Sequence, residues 1–346
     1  MEGLEVRRLR KCGSRSFDRR RTNGKWLMPF AASLSNHERN CFVQRFPKVI
    51  RMAANFDYGT AFGRNLGWTT EREQSLLRGK RIAIAGLGGV GGSYLLTLAR
   101  LGVGAFNIAD FDTFDLVNFN RQAGAGMAAL GQPKVDVLAR MALDINPELD
   151  IRSFPEGVST DNLDDFLKDV DLYADGLDFF AFDARRATFA ACHRLGIPAL
   201  TAAPLGMGTA MLAFLPGSMS FDKYFCLEGR DDEDRAIRFL LGLAPAMLQQ
   251  GYLVDKSRVD LAAQRGPSTI IGCQLCAGVM AADALKILLG RGRVAAAPHG
   301  YQFDAYRNRF HRTWRPGGNR NPLQRLGLWL ARRQLKRIQT SGEQHA

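Results

Sequence analysis

The stretch Arg81-Ile-Ala-Ile-Ala85, followed by Gly86-Leu-Gly-Gly-Val-Gly-Gly92, decides how this chain folds. Residues 82–85 alternate Ile with Ala, as in a short buried strand, and the apolar residues after the glycines recur at helical spacing as far as Leu101. A glycine loop between a strand and a helix presents backbone N–H groups to a phosphate. Gly86, Gly88 and Gly91 allow the tight turn, so the stretch predicts a nucleotide-binding βα unit, with a purely structural glycine turn as the alternative.

Strand-like and helical patterns alternate on both sides of this unit. Such alternation predicts an α/β fold, namely a Rossmann-like, doubly wound, mostly parallel sheet with helices on both faces and a single main domain. The predicted strands span 105–109, 149–154, 170–174, 197–201, 209–215 and a closing pair within 300–313, and the predicted helices span 70–79, 131–144, 161–167, 183–195 and 269–290.

The positive charge of the chain is concentrated at its two ends. The formal net charge is +13, from 47 Lys and Arg against 34 Asp and Glu. Residues 1–51 hold 13 of these basic and 4 of these acidic residues, and residues 305–346 hold 10 and 1, which leaves 24 against 29, or −5, in between. We therefore predict three parts: a disordered basic N-terminal extension (1–51), the main α/β domain (52–313) and a basic amphipathic C-terminal tail (314–346).

The predicted helix within the tail, 321–338, places Leu and Trp among Arg and Lys at helical spacing. Three targets for it stay open, namely the protein's own acidic body, an acidic carrier protein and an anionic membrane surface. Contact with nucleic acid or membrane through the basic tails is not favoured, because charged extensions are commonly solvated. Six sparse cysteines, the lack of an uninterrupted apolar run of about 18 residues and the lack of a signal peptide predict a cytoplasmic protein.

Charged residues follow the predicted strands at the edge where ligands bind in such sheets. Asp110 lies about 20 residues after the glycines, the position of an acid that binds a ribose. Arg121 and Lys134 follow it, and basic side chains converging there suit a triphosphate better than the pyrophosphate of a dinucleotide. Asp175 and Asp178 follow the predicted strand 170–174, where carboxylates suit Mg²⁺ bound to phosphate oxygens.

Seven motifs occur in an order that resembles the ThiF/MoeB/HesA family, the bacterial relatives of ubiquitin-activating enzymes. The resemblance covers about 55–290. The motifs are Gly86-Leu-Gly-Gly-Val-Gly-Gly92, Gly102-Val-Gly104, Asp110-Phe-Asp112, Asn118-Phe-Asn-Arg-Gln122, Gly131-Gln-Pro-Lys-Val135, Ile145-Asn-Pro147 and Asp175-Gly-Leu-Asp178.

The resemblance implies a role for each matching residue. Gly89 joins the phosphate loop, and Asp110 holds the ribose. Asn118 and Arg121 contact the phosphates, with Arg121 and Lys134 neutralising the β and γ groups. Asp178 binds Mg²⁺. Phe62-Gly-Arg64-Asn65 resembles the family's N-terminal arginine motif, so the resemblance implies a homodimer in which Arg64 reaches the partner's ATP site.

The chain departs from the family pattern at three points. Phe179 follows Asp178 where many members have Asn. A single pair, Cys273-Gln-Leu-Cys276, replaces the two CxxC pairs that hold zinc in many members, and two thiolates do not complete a four-ligand structural site. We therefore predict no structural zinc and place both cysteines on a helix face. Cys226 is a lone cysteine whose thioester role stays an open alternative.

The resemblance implies an ATP-dependent adenylyltransferase that activates a carboxylate and releases pyrophosphate, with ATP and Mg²⁺ as cofactors. The substrate it implies is the C-terminus of a ubiquitin-like or sulfur-carrier protein, or a similar acyl group or small carboxylate. A carboxylate is ionised near pH 7, so this reaction needs no general base. Two other classes stay open: a nicotinamide-dependent oxidoreductase built on the same glycine loop, and a non-catalytic nucleotide-binding scaffold.

Overall fold

The computed structural model describes residues 44–45, 56–260 and 263–343, with side chains described from 56 to 333 apart from 261–262. Nine strands in these residues form one sheet in the order β1-β4-β3-β2-β5-β6-β7-β8-β9. Their bounds are β1 Gln44–Arg45, β2 Arg81–Ala85, β3 Ala105–Ala109, β4 Asp150–Phe154, β5 Leu172–Asp175, β6 Ala199–Leu205, β7 Gly208–Phe214, β8 His299–Asp304 and β9 Arg309–Trp314.

The centre of the sheet is parallel and its margins are antiparallel. Strands β4, β3, β2, β5 and β6 run parallel in register, while β1 pairs antiparallel with β4. Strands β7, β8 and β9 extend the other side as an antiparallel meander, which includes the predicted closing pair. The predicted α/β sheet is confirmed.

Helices cover both faces of the sheet, as predicted. Their bounds are α1 Tyr58–Phe62, α2 Glu71–Arg78, α3 Gly91–Arg100, α4 Lys134–Ile145, α5 Leu163–Phe166, α6 Phe182–Leu195, α7 Phe221–Phe225, α8 Asp232–Leu243, α9 Ile270–Leu289 and α10 Pro322–Glu343. One apolar core joins the sheet to α3, α4 and α9, and a second joins the opposite face to α5, α6, α7 and α8.

Strand β2 shows how the sequence builds these two cores. Ile82 and Ile84 belong to the first core, whereas Ala83 and Ala85 belong to the second, because successive side chains of a strand point to opposite faces. The small alanines let the helices on their face approach closely. The glycine loop therefore leaves a strand that is buried on both sides.

Most differences from the predicted elements lie at their ends. Helix α2 begins at the predicted capping box, in which Thr70 and Glu73 each bond the other's backbone N–H. Helix α4 begins at Lys134 rather than 131, because Gly131 adopts a left-handed φ of 77° and Pro133 precedes the helix in an extended conformation. The predicted extension 1–51 lies outside the described residues apart from Gln44–Arg45, and the described residues group into one compact unit.

Helix α9 is, among the described helices, the one long and apolar enough to cross a membrane by length and composition. Asp283 and Lys286 interrupt this helix, so it does not form the uninterrupted apolar run whose lack the sequence indicated. It packs against β6, β7 and α3, with 44% of its most apolar window buried, so it serves as a core helix of the sheet.

Helix α10, within the predicted tail, docks on the body of the protein. Leu328 and Gln324 are buried against α8, and Gln324 Nε2 donates to the carbonyl of Leu241 at 2.6 Å. Arg332 Nε donates to Asp234 Oδ1 at 2.9 Å, an ion pair that ties the same face of α10 to the first turn of α8. Of the three targets predicted for this helix, its inner face contacts the protein's own body.

Candidate functional site

The glycine loop connects β2 to α3 and leaves the start of α3 open. Gly86 adopts a left-handed φ of 80°, which favours glycine over other residues. Val90 precedes the first turn of α3 and provides no side-chain cap, so the first N–H groups of the helix have no side-chain partner at that position. Uncapped N–H groups and the positive end of the helix dipole attract an anion.

Three glycines bring a second loop against the first. Gly176 follows β5, and a Cβ on it would overlap the carbonyl oxygen of Gly86 and come within 2.9 Å of the Cα of Gly91. In the same way, a Cβ on Gly91 would overlap the carbonyl oxygen of Gly86. Because none of these three residues has a side chain, the loop that follows β5 (the β5 loop) can contact the backbone of the glycine loop.

Asp110 links the end of β3 to the glycine loop. Its Oδ2 accepts a hydrogen bond from Leu87 N at 2.6 Å and its Oδ1 accepts one from Asp112 N at 2.8 Å. Burial raises the pKa of Asp110, and the charge of Lys134 opposes that rise. Each oxygen keeps a lone pair, so the predicted ribose contact is compatible with this structural role.

Lys134, the first residue of α4, lies near Asp110 at the end of β3. Its side chain is 6% exposed, and Nζ lies 2.8 Å from Asp112 Oδ2. This pairing with Asp112 keeps the Lys134 side chain near Asp110. The first residue of α4 thus brings a positive charge to the end of β3.

The Asn118–Gln122 segment faces the glycine loop. A Cβ on Gly89 would lie 3.6 Å from Arg121 Cγ, and a Cβ on Gly88 would lie 3.7 Å from Gln122 Nε2. Arg121 Nη1 donates to Val117 O and Asn120 Oδ1, both at 2.9 Å, which orients the guanidinium. Asn118 is buried, and its Oδ1 accepts from Asp115 N at 2.9 Å.

Asp175 and Asp178, grouped together by the sequence, have different environments. Asp175 is buried and its Oδ2 accepts from Arg185 Nε and from Thr201 Oγ1, each at 2.8 Å. Asp178 is exposed, and its Oδ1 accepts from Phe180 N at 3.0 Å. Of the two carboxylates, that of Asp178 is therefore the one accessible to a ligand. Asp178 lies two residues after Gly176, so their Cα atoms are at most about 7 Å apart.

Arg185 holds the β5 loop in place. Its guanidinium is 3% exposed and donates to the carbonyls of Leu177 at 2.8 Å, Asp178 at 2.9 Å and Phe179 at 3.2 Å. The ring of Phe239 stacks under it, with the guanidinium carbon 4.6 Å from the ring centroid. One side chain thus fixes three consecutive carbonyls around Asp178.

Arg64 lies at the far end of α3 from the phosphate loop. The neighbouring Asn65 donates through Nδ2 to the carbonyls of Arg100 and Leu101, each at 3.4 Å, where α3 ends. A ten-residue helix is about 15 Å long, so Arg64 does not join the site of its own chain. Next to it, Trp68 is 83% exposed.

The two cysteines of the CxxC pair lie on helix α9, as predicted. Both are buried, and Cys276 Sγ donates to Thr209 Oγ1 at 3.1 Å. Burial raises the pKa of both thiols, which disfavours the thiolate form that binds metals. Cys273 Sγ packs under the glycine loop, 2.9 Å from the position of a Cβ on Gly89. The absence of zinc stays a prediction.

The site fits a nucleotide triphosphate at several points. The start of α3 is uncapped, Arg121 borders Gly89, and Lys134 pairs with Asp112 next to Asp110, whose carboxylate accepts from Leu87 N in the glycine loop. Gln122, beside Gly88, has a buried Oε1 without a partner in the described residues, and a ribose hydroxyl or adenine amino group is a donor of the kind it lacks. No three His, Cys, Asp or Glu side chains gather as a metal cluster in 56–260 and 263–333. Asp178 remains as a single carboxylate, which suffices for Mg²⁺ held mainly by phosphates.

Two contributors were not predicted as site residues. Gln122 ends a motif that the sequence singles out, yet its position beside Gly88 depends on how the chain returns to the loop. Arg185 lies seven residues after Asp178 at the start of α6, and a basic residue there reads as an ordinary exposed helix residue. The sequence signal that could have indicated a role for Arg185 was its position shortly after Asp175 and Asp178, the two carboxylates at the end of β5.

Comparison with known proteins places this geometry in a family. A model described as the ThiF family matches residues 62–325, which is well over half of the chain. Among curated proteins, the sulfur carrier protein ThiS adenylyltransferase of Escherichia coli is 30% identical over 143 residues, covering 41% of this chain and 56% of that protein. A tRNA threonylcarbamoyladenosine dehydratase of Bacillus subtilis is 43% identical over 75 residues, covering 22% and 30%.

Both matches cover less than two thirds of the relative's own length. Among solved structures, E. coli MccB with ATP superimposes with a TM-score of 0.55 at 17% identity, covering 77% of this chain and 72% of that one. At this identity the likeness shows a shared fold.

Alanine substitutions at two positions of the glycine loop should have different effects, one on ATP affinity and the other on thermal stability. Gly88→Ala adds a methyl group whose nearest neighbour is Gln122 Nε2 at 3.7 Å, an ordinary contact distance, so the protein should keep its thermal stability while its affinity for ATP falls about tenfold or more, because the methyl narrows the phosphate's approach. Gly91→Ala places the methyl on the backbone of Gly86 and should lower stability by about 1–3 kcal/mol. Thermal unfolding and ATP titration measure both. Wild-type ATP affinity in Gly88→Ala would contradict the assignment.

Arg185→Lys should impair the site more than its neighbour Arg186→Lys. A lysine keeps the charge beside Asp175 but cannot span three carbonyls, so we expect a loss of about 1–3 kcal/mol in unfolding free energy and a raised KM for MgATP. The control Arg186 pairs with Asp222 at the surface, 2.9 Å away, where a pair contributes about 0–1 kcal/mol. Equal effects in both variants would show that Arg185 has no special role.

Proposed function

The chain belongs to the ThiF family, and on that premise we propose that it is an ATP-dependent adenylyltransferase that activates a carboxylate as an acyl-adenylate. The observation that carries the proposal is that the uncapped start of α3 lies beside Arg121 and beside the β5 loop that carries Asp178, with Lys134 at the end of the adjacent strand β3. The glycine contacts hold the two loops together. This arrangement supplies backbone donors, two positive charges and one free carboxylate at a single edge of the sheet.

The proposed reaction is attack by a carboxylate oxygen on the α-phosphorus of ATP. The bond between the α-phosphorus and the bridging oxygen breaks, and pyrophosphate leaves with that bond's electron pair. The attacking carboxylate is already ionised near pH 7, so no general base is needed. The chain's own residues orient the phosphates and stabilise the charge that develops on the leaving group, which is the main form of catalysis in such transfers.

Each residue has a proposed part in this step. The glycine loop and the α3 N-terminus hold phosphate oxygens, and Asp110 accepts hydrogen bonds from the ribose. Arg121 and Lys134 neutralise the β- and γ-phosphates. Mg²⁺, when bound, would neutralise further phosphate charge, and Asp178 is the residue that would hold it. Asn118, close to Arg121 in the chain, contacts the phosphates as well.

The acyl substrate is proposed by analogy with relatives. The E. coli relative is named for a sulfur carrier protein, so a carrier with a C-terminal carboxylate is the first candidate, and a small carboxylate is the second. The B. subtilis relative is named a tRNA dehydratase, so a carbonyl oxygen of a modified nucleoside is the alternative acceptor. All of these attack ATP through an oxygen atom, which the same phosphate site would serve.

ATP–pyrophosphate exchange tests the proposed reaction. Wild-type protein with MgATP and a panel of carrier proteins and small carboxylates should exchange labelled pyrophosphate into ATP. Asp178→Asn and Arg121→Ala should each lower exchange about 100-fold or more, because each removes charge stabilisation at the leaving group. Asp183→Asn, an exposed acid five residues after Asp178, is the matched control and should exchange normally.

Three results of that assay would count against the proposal. Full exchange in Asp178→Asn would remove that residue from the site. NAD binding with no ATP binding would favour the oxidoreductase alternative. ATP binding without exchange for any substrate in the panel would favour the non-catalytic scaffold.

We further propose a homodimer in which Arg64 acts in the partner's site. Support comes from the position of Arg64 about 15 Å from its own phosphate loop and from the exposed Trp68 beside it, since exposed aromatic residues often mark interfaces. The Arg64→Ala and Asp178→Ala proteins should each be inactive. After subunit exchange, an equal mixture should recover about a quarter of wild-type exchange, because one site of each mixed dimer is intact. A monomer by light scattering, or no recovery, would contradict the dimer.

A further inference from the structure

Helix α10 has two faces of different character. Its inner face is occupied, because Gln324, Leu328 and Arg332 recur every four residues and contact α8. A helix with one docked face normally exposes polar residues on the other. The ion pair of Arg332 with Asp234 fixes which face of α10 points outward.

The outer face of α10 is apolar instead. Its large side chains are mostly solvent-exposed, at 67% for Leu323, 54% for Leu326, 48% for Trp329 and 53% for Leu330. They lie at helical spacing on the side opposite Leu328. Arg333 lies over Trp329, with its guanidinium carbon 4.4 Å from the ring centroid, so a positive charge borders this apolar surface.

A cavity of about 520 Å³ lies beside α10, and half of its lining residues are arginines. Two of them, Arg320 and Arg325, form no ion pair with any carboxylate in the part of the chain that the structure describes. Arg230 and Arg238 share Asp234, which also pairs with Arg332. The two acidic lining residues, Asp222 and Glu228, both pair with Arg186, at 2.9 and 3.9 Å, so four arginines face two carboxylates in the lining. The cavity therefore carries net positive charge.

We propose that the outer face of α10 and this arginine-lined cavity dock the protein on an anionic lipid surface. Exposed Leu and Trp beside arginines are the composition of a helix that lies in the membrane interface. Arginine binds phosphate through paired hydrogen bonds, so the cavity suits lipid headgroup phosphates next to the inserted apolar side chains.

Charge decides between this occupant and a second copy of the chain. Two copies meeting through this face would bring the arginines of one against those of the other, which costs free energy. The segment 305–346 carries 10 Lys and Arg against one Glu. An anionic surface satisfies both the apolar and the basic part of the face. The proposal concerns a surface apart from the nucleotide site, so it stands whether or not the proposed activity holds.

Sedimentation with vesicles tests the proposal on the full chain. Wild-type protein should bind phosphatidylcholine vesicles containing phosphatidylglycerol at least about tenfold better than pure phosphatidylcholine vesicles, and raised salt should weaken that binding. Leu326→Ser with Leu330→Ser should lower binding several-fold. Leu195→Ser, an exposed leucine at the end of α6, is the control and should bind as the wild type does.

The arginines are tested with a charge-matched control. Arg320→Gln with Arg325→Gln should lower binding to the anionic vesicles about tenfold, since each surface arginine adds to the attraction. Arg258→Gln with Arg265→Gln removes the same charge at exposed positions elsewhere and should have little effect. Thermal unfolding of every variant checks that α10 stays docked.

Four outcomes would overturn the proposal. The first is no binding of wild-type protein to either kind of vesicle at low salt. The second is equal binding by the outer-face variant and its control. The third is binding of inorganic phosphate, detected by calorimetry, without binding to vesicles, which would make the cavity a site for free phosphate. The fourth is an oligomer that dissociates on Leu326→Ser, which would make the face an interface between copies.

Discussion

The contact between the loops after β2 and β5 is the constraint on which the rest of this site depends. Gly86, Gly91 and Gly176 approach so closely that a Cβ on any of them would overlap its neighbours. Because β2 and β5 are adjacent parallel strands, their loops leave the same edge of the sheet. Glycine at these positions turns that adjacency into direct backbone contact, which brings the loop that carries Asp178 to the uncapped start of α3.

A buried ion pair between Asp175 and Arg185 stabilises the β5 loop, which makes this contact. Asp175 and Arg185 are both almost fully buried, and such a pair adds stability only when its remaining donors and acceptors are satisfied. Here Thr201 and the loop carbonyls satisfy them. The pair therefore sets the conformation of the loop that carries Asp178. On the opposite side, Asp110 fixes the glycine loop through Leu87 N, and the site is held between these two carboxylates.

The sequence predicted what depends on local pattern and missed what depends on tertiary contact. The glycine loop, Asp110 and Lys134 could be placed because each sits at a strand end or a helix start, which hydrophobic periodicity locates. The sequence did not distinguish Asp175 from Asp178. The side chains of Arg185 and Thr201, which donate to the carboxylate of Asp175, come from α6 and β6, further along the chain. Helix α10 could be predicted, but which face docks on α8 could not, since apolar residues occur on both faces.

We propose that the glycine loop and the β5 loop together bind one nucleotide. Amide hydrogen exchange of the wild-type protein, measured with and without MgATP, tests this proposal most directly, because it reports on both loops in one experiment. We predict that residues 86–91 and 176–180 gain protection together, at the same ATP concentration. Protection of the glycine loop alone, or of neither segment, would contradict it.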